Sequence, residues 1–116
     1  MTYRSGLEQR IANKFDKEGI SYLYESEKFE YFLACKYTPD FFLPSGVIIE
    51  AKGFFKPSNR RLMLAVKQQH PELDIRFVFQ RNNTISKTST TTYGDWASRH
   101  GFPWCIYPHI PPDWFN

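Results

Sequence analysis

Tyr37-Thr38-Pro39-Asp40-Phe41-Phe42-Leu43-Pro44-Ser45-Gly46-Val47-Ile48-Ile49-Glu50-Ala51-Lys52 is the stretch on which the fold turns. Its two apolar runs, 41–43 and 47–49, are separated by Pro44-Ser45-Gly46, a hairpin signal. The pattern predicts strands over 37–43 and 47–52. Side chains alternate faces along a strand, so Glu50 and Lys52 share one face while Ala51 points into the opposite layer. An acid therefore stands before the hairpin, and an acid with a lysine beside it stands after. That set suits attack on a phosphodiester, an anion that needs cations near the phosphate and a deprotonated water. The cations in turn need hard oxygen ligands, which Asp40 and Glu50 provide. Read locally, the same residues also fit a turn aspartate and a solvated ion pair at a strand end, since exposed charge pairs are common.

Upstream, Leu7, Ile11, Ala12 and Phe15 recur at helical spacing and predict a helix over 5–17 that Gly19 stops. Glu8 lies on the flank of its apolar face, from which a carboxylate can reach a site. Ser5-Gly6-Leu7-Glu8 is also a capping box, in which Glu8 only satisfies the helix end. Segments rich in Tyr and Phe predict strands over 21–25 and 29–33. Downstream, Leu62, Met63, Ala65 and Val66 predict a helix over 59–70, capped near Ser58 and halted by Pro71. Ile75, Phe77 and Phe79 alternate in a strand over 74–80, which this helical crossover returns beside the hairpin. Polar residues 81–92 predict a binding loop, and 93–100 a short helix capped by Thr91 or Thr92 and ended by Gly101. The proline-rich tail 102–116 is expected to lie extended across the core. The class is α/β, with one domain over 1–116.

Composition sets the outer limits. With 116 residues, 41% hydrophobic and 18% aromatic, the chain can bury one core. No apolar run is long enough to span a bilayer and the amino terminus lacks a signal-peptide pattern, so a soluble cytoplasmic protein with no membrane partner is expected. Cys35 and Cys105 are far apart and lack neighbours at zinc spacing, which reads as two thiols in a reducing compartment. His70, His100 and His109 are scattered and take no role. A net charge of +3 suits nucleic-acid binding without demanding it. Its distribution is more telling. Lys56, Arg60 and Arg61 follow the candidate site closely, and Arg81 and Lys87 lie in the polar loop, where all five could contact DNA phosphates. Lys67 reads as part of a solvated helix face.

Taken in order, several stretches resemble the phage endonuclease I family, the Holliday-junction-resolving nucleases of short-tailed phages. They are Arg4-Ser5-Gly6-Leu7-Glu8, Tyr37-Thr38-Pro39-Asp40-Phe41, Glu50-Ala51-Lys52-Gly53, and Gln69-His70-Pro71-Glu72-Leu73-Asp74-Ile75-Arg76. Tyr93-Gly94-Asp95, Arg99-His100-Gly101 and Ile110-Pro111-Pro112-Asp113-Trp114 extend the match over nearly the whole chain. The resemblance implies a restriction-endonuclease-like core, a central mixed sheet flanked by helices. It implies Asp40, Glu50 and the Ala51 carbonyl around one Mg²⁺ or Mn²⁺, Glu8 helping a second ion, and Lys52 at the attacking water. It further implies an intertwined, domain-swapped homodimer acting on branched DNA, in which Glu8 completes the partner's site.

Two departures stand out. Leu23 occupies the place of a further family carboxylate in the first strand, with Glu25 two positions on and so on the same strand face as a possible substitute. Strongly basic tails are also missing, which weakens the expected nonspecific affinity for DNA. Two rival readings keep the same fold: an endonuclease of strand-nicking or homing type on duplex DNA, and a structure-specific DNA-binding module without catalysis.

Overall fold

The computed structural model describes residues 2–116 and divides into two compact units, 1–34 and 35–116. Each is taken by itself.

In the first unit, helix α1 runs Gly6–Lys17. Ser5 caps it: Ser5 Oγ accepts the Glu8 backbone N–H at 3.1 Å and donates to Glu8 Oε1 at 3.0 Å. At the other end the Ile20 N–H reaches Phe15 O at 2.8 Å, the stop expected at Gly19. Ala12 is the helix's buried residue, and Leu7 stays 58% exposed.

The strands expected over 21–25 and 29–33 do not form. Aromatic residues favour a pleated, half-buried surface only when a partner strand completes the ladder; here Tyr22 and Tyr24 find other neighbours, and Phe29, Tyr31 and Phe32 stay exposed. Tyr22 packs on Phe15 with ring centroids 5.4 Å apart, and Tyr24 meets Tyr3 edge-on at 4.6 Å. The face shared by Leu23 and Glu25 therefore has no strand behind it. Leu23 is exposed, whereas Glu25 takes a left-handed backbone, φ 49°, and pairs with Arg4 at 3.0 Å.

The second unit is built on a four-stranded mixed sheet. Strand β1 is Phe41–Phe42 and β2 is Val47–Lys52, paired antiparallel with Phe41 opposite Ile49. The turn between them is tight: Gly46 N–H donates to Leu43 O, and Leu43 N–H to Val47 O, both at 2.9 Å. Gly46 sits at φ 90°, where a side chain would be strained, so this hairpin needs glycine there. β1 is much shorter than the 37–43 expected. Pro39 has no N–H to donate to a ladder, and at Asp40 a side chain takes over the pairing of β2.

Helix α2, Pro57–Gln69, carries the chain across to β3, Asp74–Phe79, which lies parallel to β2 as the crossover required. The helix starts two residues before the expected 59. Lys56 is its N-cap and makes no side-chain cap, and Pro57, not the cap expected at Ser58, begins it; proline's fixed φ suits the first helical position. After the polar loop comes α3, Tyr93–Arg99, with a full capping box between Thr92 and Asp95. The tail is more structured than the extended segment expected. Strand β4, Trp104–Ile106, pairs parallel with β3, and a 3₁₀ helix spans Pro112–Phe115. The sheet order is β1-β2-β3-β4.

Alternation along the strands sorts the core into two layers. Ile48, Ile75, Phe77 and Phe79 face α2 and α3 with Phe55, Met63, Tyr93, Trp96 and Phe102. Val47, Ile49, Val78 and Cys105 face the tail, where Trp114 closes the layer. Glu50 shares parity with Ile48, so it sits on the helix-covered face, at the end of that strand.

Candidate active site

Glu50 is the buried charged residue among those described, 2% exposed. Burial follows from its place in β2: a carboxylate at an apolar strand position loses water on most sides. Loss of hydration, with the charge of Asp40 nearby, pushes its carboxyl above the ordinary range, while Tyr37 and Lys52 pull against this. The Tyr37 hydroxyl donates to Glu50 Oε1. Lys52 Nζ stands 3.5 Å from Glu50 Oε2, confirming that the two side chains share a face. Tyr37 also packs its ring against the larger core layer, and its own phenol is pushed up by burial and by the Glu50 carboxylate.

Asp40 approaches from the next element. Its Oδ2 accepts the Ala51 N–H at 2.9 Å. This contact continues the β1 edge of β2 past the point where the backbone ladder stops. In an extended strand a residue's N–H and C=O project to the same side. The Ala51 carbonyl therefore emerges on the edge where Asp40 lies, while Lys52 O is turned to β3 and accepts the Gln80 N–H at 3.0 Å. Asp40, Glu50, the Ala51 carbonyl and Lys52 are thus gathered at one end of β2. Two carboxylates and a carbonyl are hard oxygen donors, and a buried carboxylate of raised pKa is one that a cation would favour in its charged form, so the residues fit a divalent ion. Among the described residues no three His, Cys, Asp or Glu side chains converge, which leaves a two-carboxylate set.

Glu8 lies in the first unit, where Tyr24 OH donates to its Oε2. The pattern repeats that at Glu50, a tyrosine hydroxyl holding a carboxylate. Tyr37 and Tyr24 carry these contacts and were not singled out from the sequence. For Tyr37 a signal existed, because it opens the Tyr37-Thr38-Pro39-Asp40-Phe41 stretch three residues before Asp40.

The cations expected to meet DNA divide into two kinds. Lys56, Arg61, Arg81 and Lys87 are exposed. Arg60 is half-buried: its Nη1 donates to Phe55 O at 2.7 Å and its guanidinium lies 6.0 Å from the Phe55 ring. It braces the loop between β2 and α2. Lys67, read as solvated, instead places Nζ 4.6 Å from the Phe102 ring and 3.3 Å from Gly101 O, tying α2 to the end of α3.

"Endonuclease I" of Escherichia phage T7 is 39% identical, over 98% of this chain and 78% of the relative. "Endodeoxyribonuclease 1" of Enterobacteria phage T3 is 41% identical, over 85% of this chain and 68% of the relative. The profile of the family described as phage endonuclease I matches residues 1–116, and the chain belongs to that family.

Proposed function

We propose that this protein is a metal-dependent endodeoxyribonuclease that hydrolyses phosphodiester bonds in branched DNA and works as a homodimer. The observation that carries the reading is Glu50, a carboxylate buried in the helix-covered face of β2 with Asp40 and Lys52 beside it. Asp40, Glu50 and the Ala51 carbonyl would hold one ion, and Glu8 would help hold a second. Bound Mg²⁺, or Mn²⁺ in its place, one or two ions per site, supplies positive charge at the phosphoryl oxygens and lowers the pKa of water. Tyr37 fixes one oxygen of Glu50 and leaves the other towards Lys52. Lys52 orients the attacking water or stabilises charge developing on the phosphate. The exposed Lys56, Arg61, Arg81 and Lys87 contact phosphates away from the cut; Arg60 supports them by holding the loop.

The relatives' names support endonuclease chemistry and DNA as the substrate. Support for a second chain comes from the first unit, where Leu23, Phe29, Tyr31 and Phe32 are 79–93% exposed. Apolar surface of that extent is costly in water, and a partner copy would cover it. No described helix is long and apolar enough to cross a membrane, and the host-cell cytoplasm is the proposed place of action.

The test incubates the protein with a four-way junction, a matched duplex and single strands, with Mg²⁺ or with chelator. Cleavage of the junction above the duplex, lost in chelator and in Glu50→Ala, is expected. Junction cleavage that persists in Glu50→Ala would sink the site. Preferred cutting of the duplex would replace junction resolution by strand nicking, and binding without cleavage would leave a DNA-binding module.

A further inference from the structure

At the start of α1 the Glu8 carboxylate is held on both oxygens by hydroxyl groups. Ser5 Oγ donates to Oε1 at 3.0 Å, and Tyr24 OH donates to Oε2. Neither contact is the one a capping box makes, in which the carboxylate accepts the backbone N–H of the cap residue, as Asp95 does from Thr92 at 3.1 Å. We propose that Tyr24 is a positioning residue for metal binding, whose hydroxyl aims the Glu8 carboxylate at the second ion. The inference rests on the nuclease reading, which gives Glu8 that ion, and adds to it a residue that acts through Glu8.

The surroundings of Tyr24 make this contact directional. Its oxygen accepts the Arg4 backbone N–H at 3.1 Å, so that side of the phenol is taken and its single proton is left for Glu8. Its half-buried ring meets Tyr3 edge-on, centroids 4.6 Å apart, which limits how far the hydroxyl can swing. Tyr24 reaches Glu8 from sixteen residues away, whereas Ser5 stands beside it in the chain. Two donors from two segments fix the plane of the carboxylate, which one donor would leave free to turn. Both donors are also neutral. A cation paired with Glu8 would compete with a metal for the same charge, and the nearby guanidinium, that of Arg4, is turned to Glu25 at 3.0 Å. Each carboxylate oxygen has two lone pairs, so one on each remains for an ion. Hydrogen bonds of this kind are how ligating carboxylates are commonly oriented.

A double-mutant cycle, read by calorimetric titration with Mn²⁺ alone and by DNA cleavage, separates positioning from support of the fold. Tyr24→Phe keeps the ring on Tyr3 and removes the O–H. It should weaken binding of the ion that Glu8 helps hold by about 10–100-fold and raise the Mn²⁺ needed for cleavage by the same factor. In a Glu8→Ala background the same change should cost nothing further, because the group it acts through is gone. Tyr22→Phe, which breaks the 2.9 Å contact between the Tyr22 and Tyr3 hydroxyls, should titrate as wild type. Wild-type affinity in Tyr24→Phe, beside a loss in Glu8→Ala, would overturn the inference and leave the role of Glu8 standing. An equal loss in both backgrounds would also overturn it, since Tyr24 would then act on the fold. Glu8→Ala protein that binds Mn²⁺ and cuts as wild type does would instead remove the second ion from Glu8, and the inference with it.

Discussion

Glu50 has neighbours that work in opposite directions: burial and Asp40 disfavour its charge, and Tyr37 and Lys52 favour it. Because the folded-state pKa lies above the unfolded one, Glu50 stabilises the metal-free fold fully below the usual carboxylate range. That contribution is lost as pH rises from that range through the raised value. In chelator, Glu50→Gln should therefore melt several degrees above wild type at pH 7 and lose that advantage on acidification, as followed by circular dichroism. Added Mg²⁺ should raise wild type and leave the variant where it was. Tyr37 has a separable role. Tyr37→Phe keeps the ring that packs on the core and removes only the hydroxyl that holds Glu50 Oε1. Removing such a supporting contact typically costs about 10–100-fold in metal affinity or activity. The expected result is a loss of that order in Mn²⁺ affinity by calorimetry with an unchanged melting temperature; unchanged affinity would make Tyr37 a packing residue.

Among the elements, α3 is placed by close contact. A Cβ on Gly94 would stand 2.3 Å from Trp104 Cζ2, so the helix can lie against β4 only where it carries no side chain. Propensity favours alanine over glycine in a helix by about 1 kcal/mol. Overpacking of a filled interface costs about 1–3 kcal/mol and should win. Gly94→Ala is thus expected to lower the urea midpoint, contrary to the usual effect of that substitution in a helix. The elements also show where local pattern suffices. The pairing of β2 with β3 through α2 followed from alternating apolar residues and a helical crossover, since both strands are covered on two faces and their apolar pattern is strong. β4 was missed because Trp104-Cys105-Ile106 is short and flanked by prolines, so that its backbone becomes a strand only when the edge of β3 is already present.

For the whole molecule, the sites at Glu8 and at Asp40 and Glu50 belong to different units of the chain. In the proposed homodimer Glu8 acts in the partner's site, and inactive variants should then complement one another. Glu8→Gln mixed with Lys52→Ala under conditions of subunit exchange should recover part of the wild-type cleavage, because one site of each mixed dimer is intact. A monomer by sedimentation, or a mixture no more active than its parts, would exclude the arrangement.

The hairpin stretch by itself determined the mixed character of the site, with Asp40 on one arm and Glu50 and Lys52 on one face of the other. Strand alternation is a local rule, and it held because the turn and both core layers enforce it. Local rules also placed α1, α2 and α3 and the Ser5 cap, and narrowed the cap of α3 to Thr91 or Thr92, of which the structure uses Thr92. Only the tertiary structure decided that residues 21–25 and 29–33 would not be strands, that Arg60 and Lys67 would brace loops and helix ends, and that Tyr37 would reach Glu50. A ladder, a cation over a ring and a hydrogen bond across thirteen residues each need a partner that lies far away in the chain. Which partner arrives is set by packing, and the residue alone does not carry it.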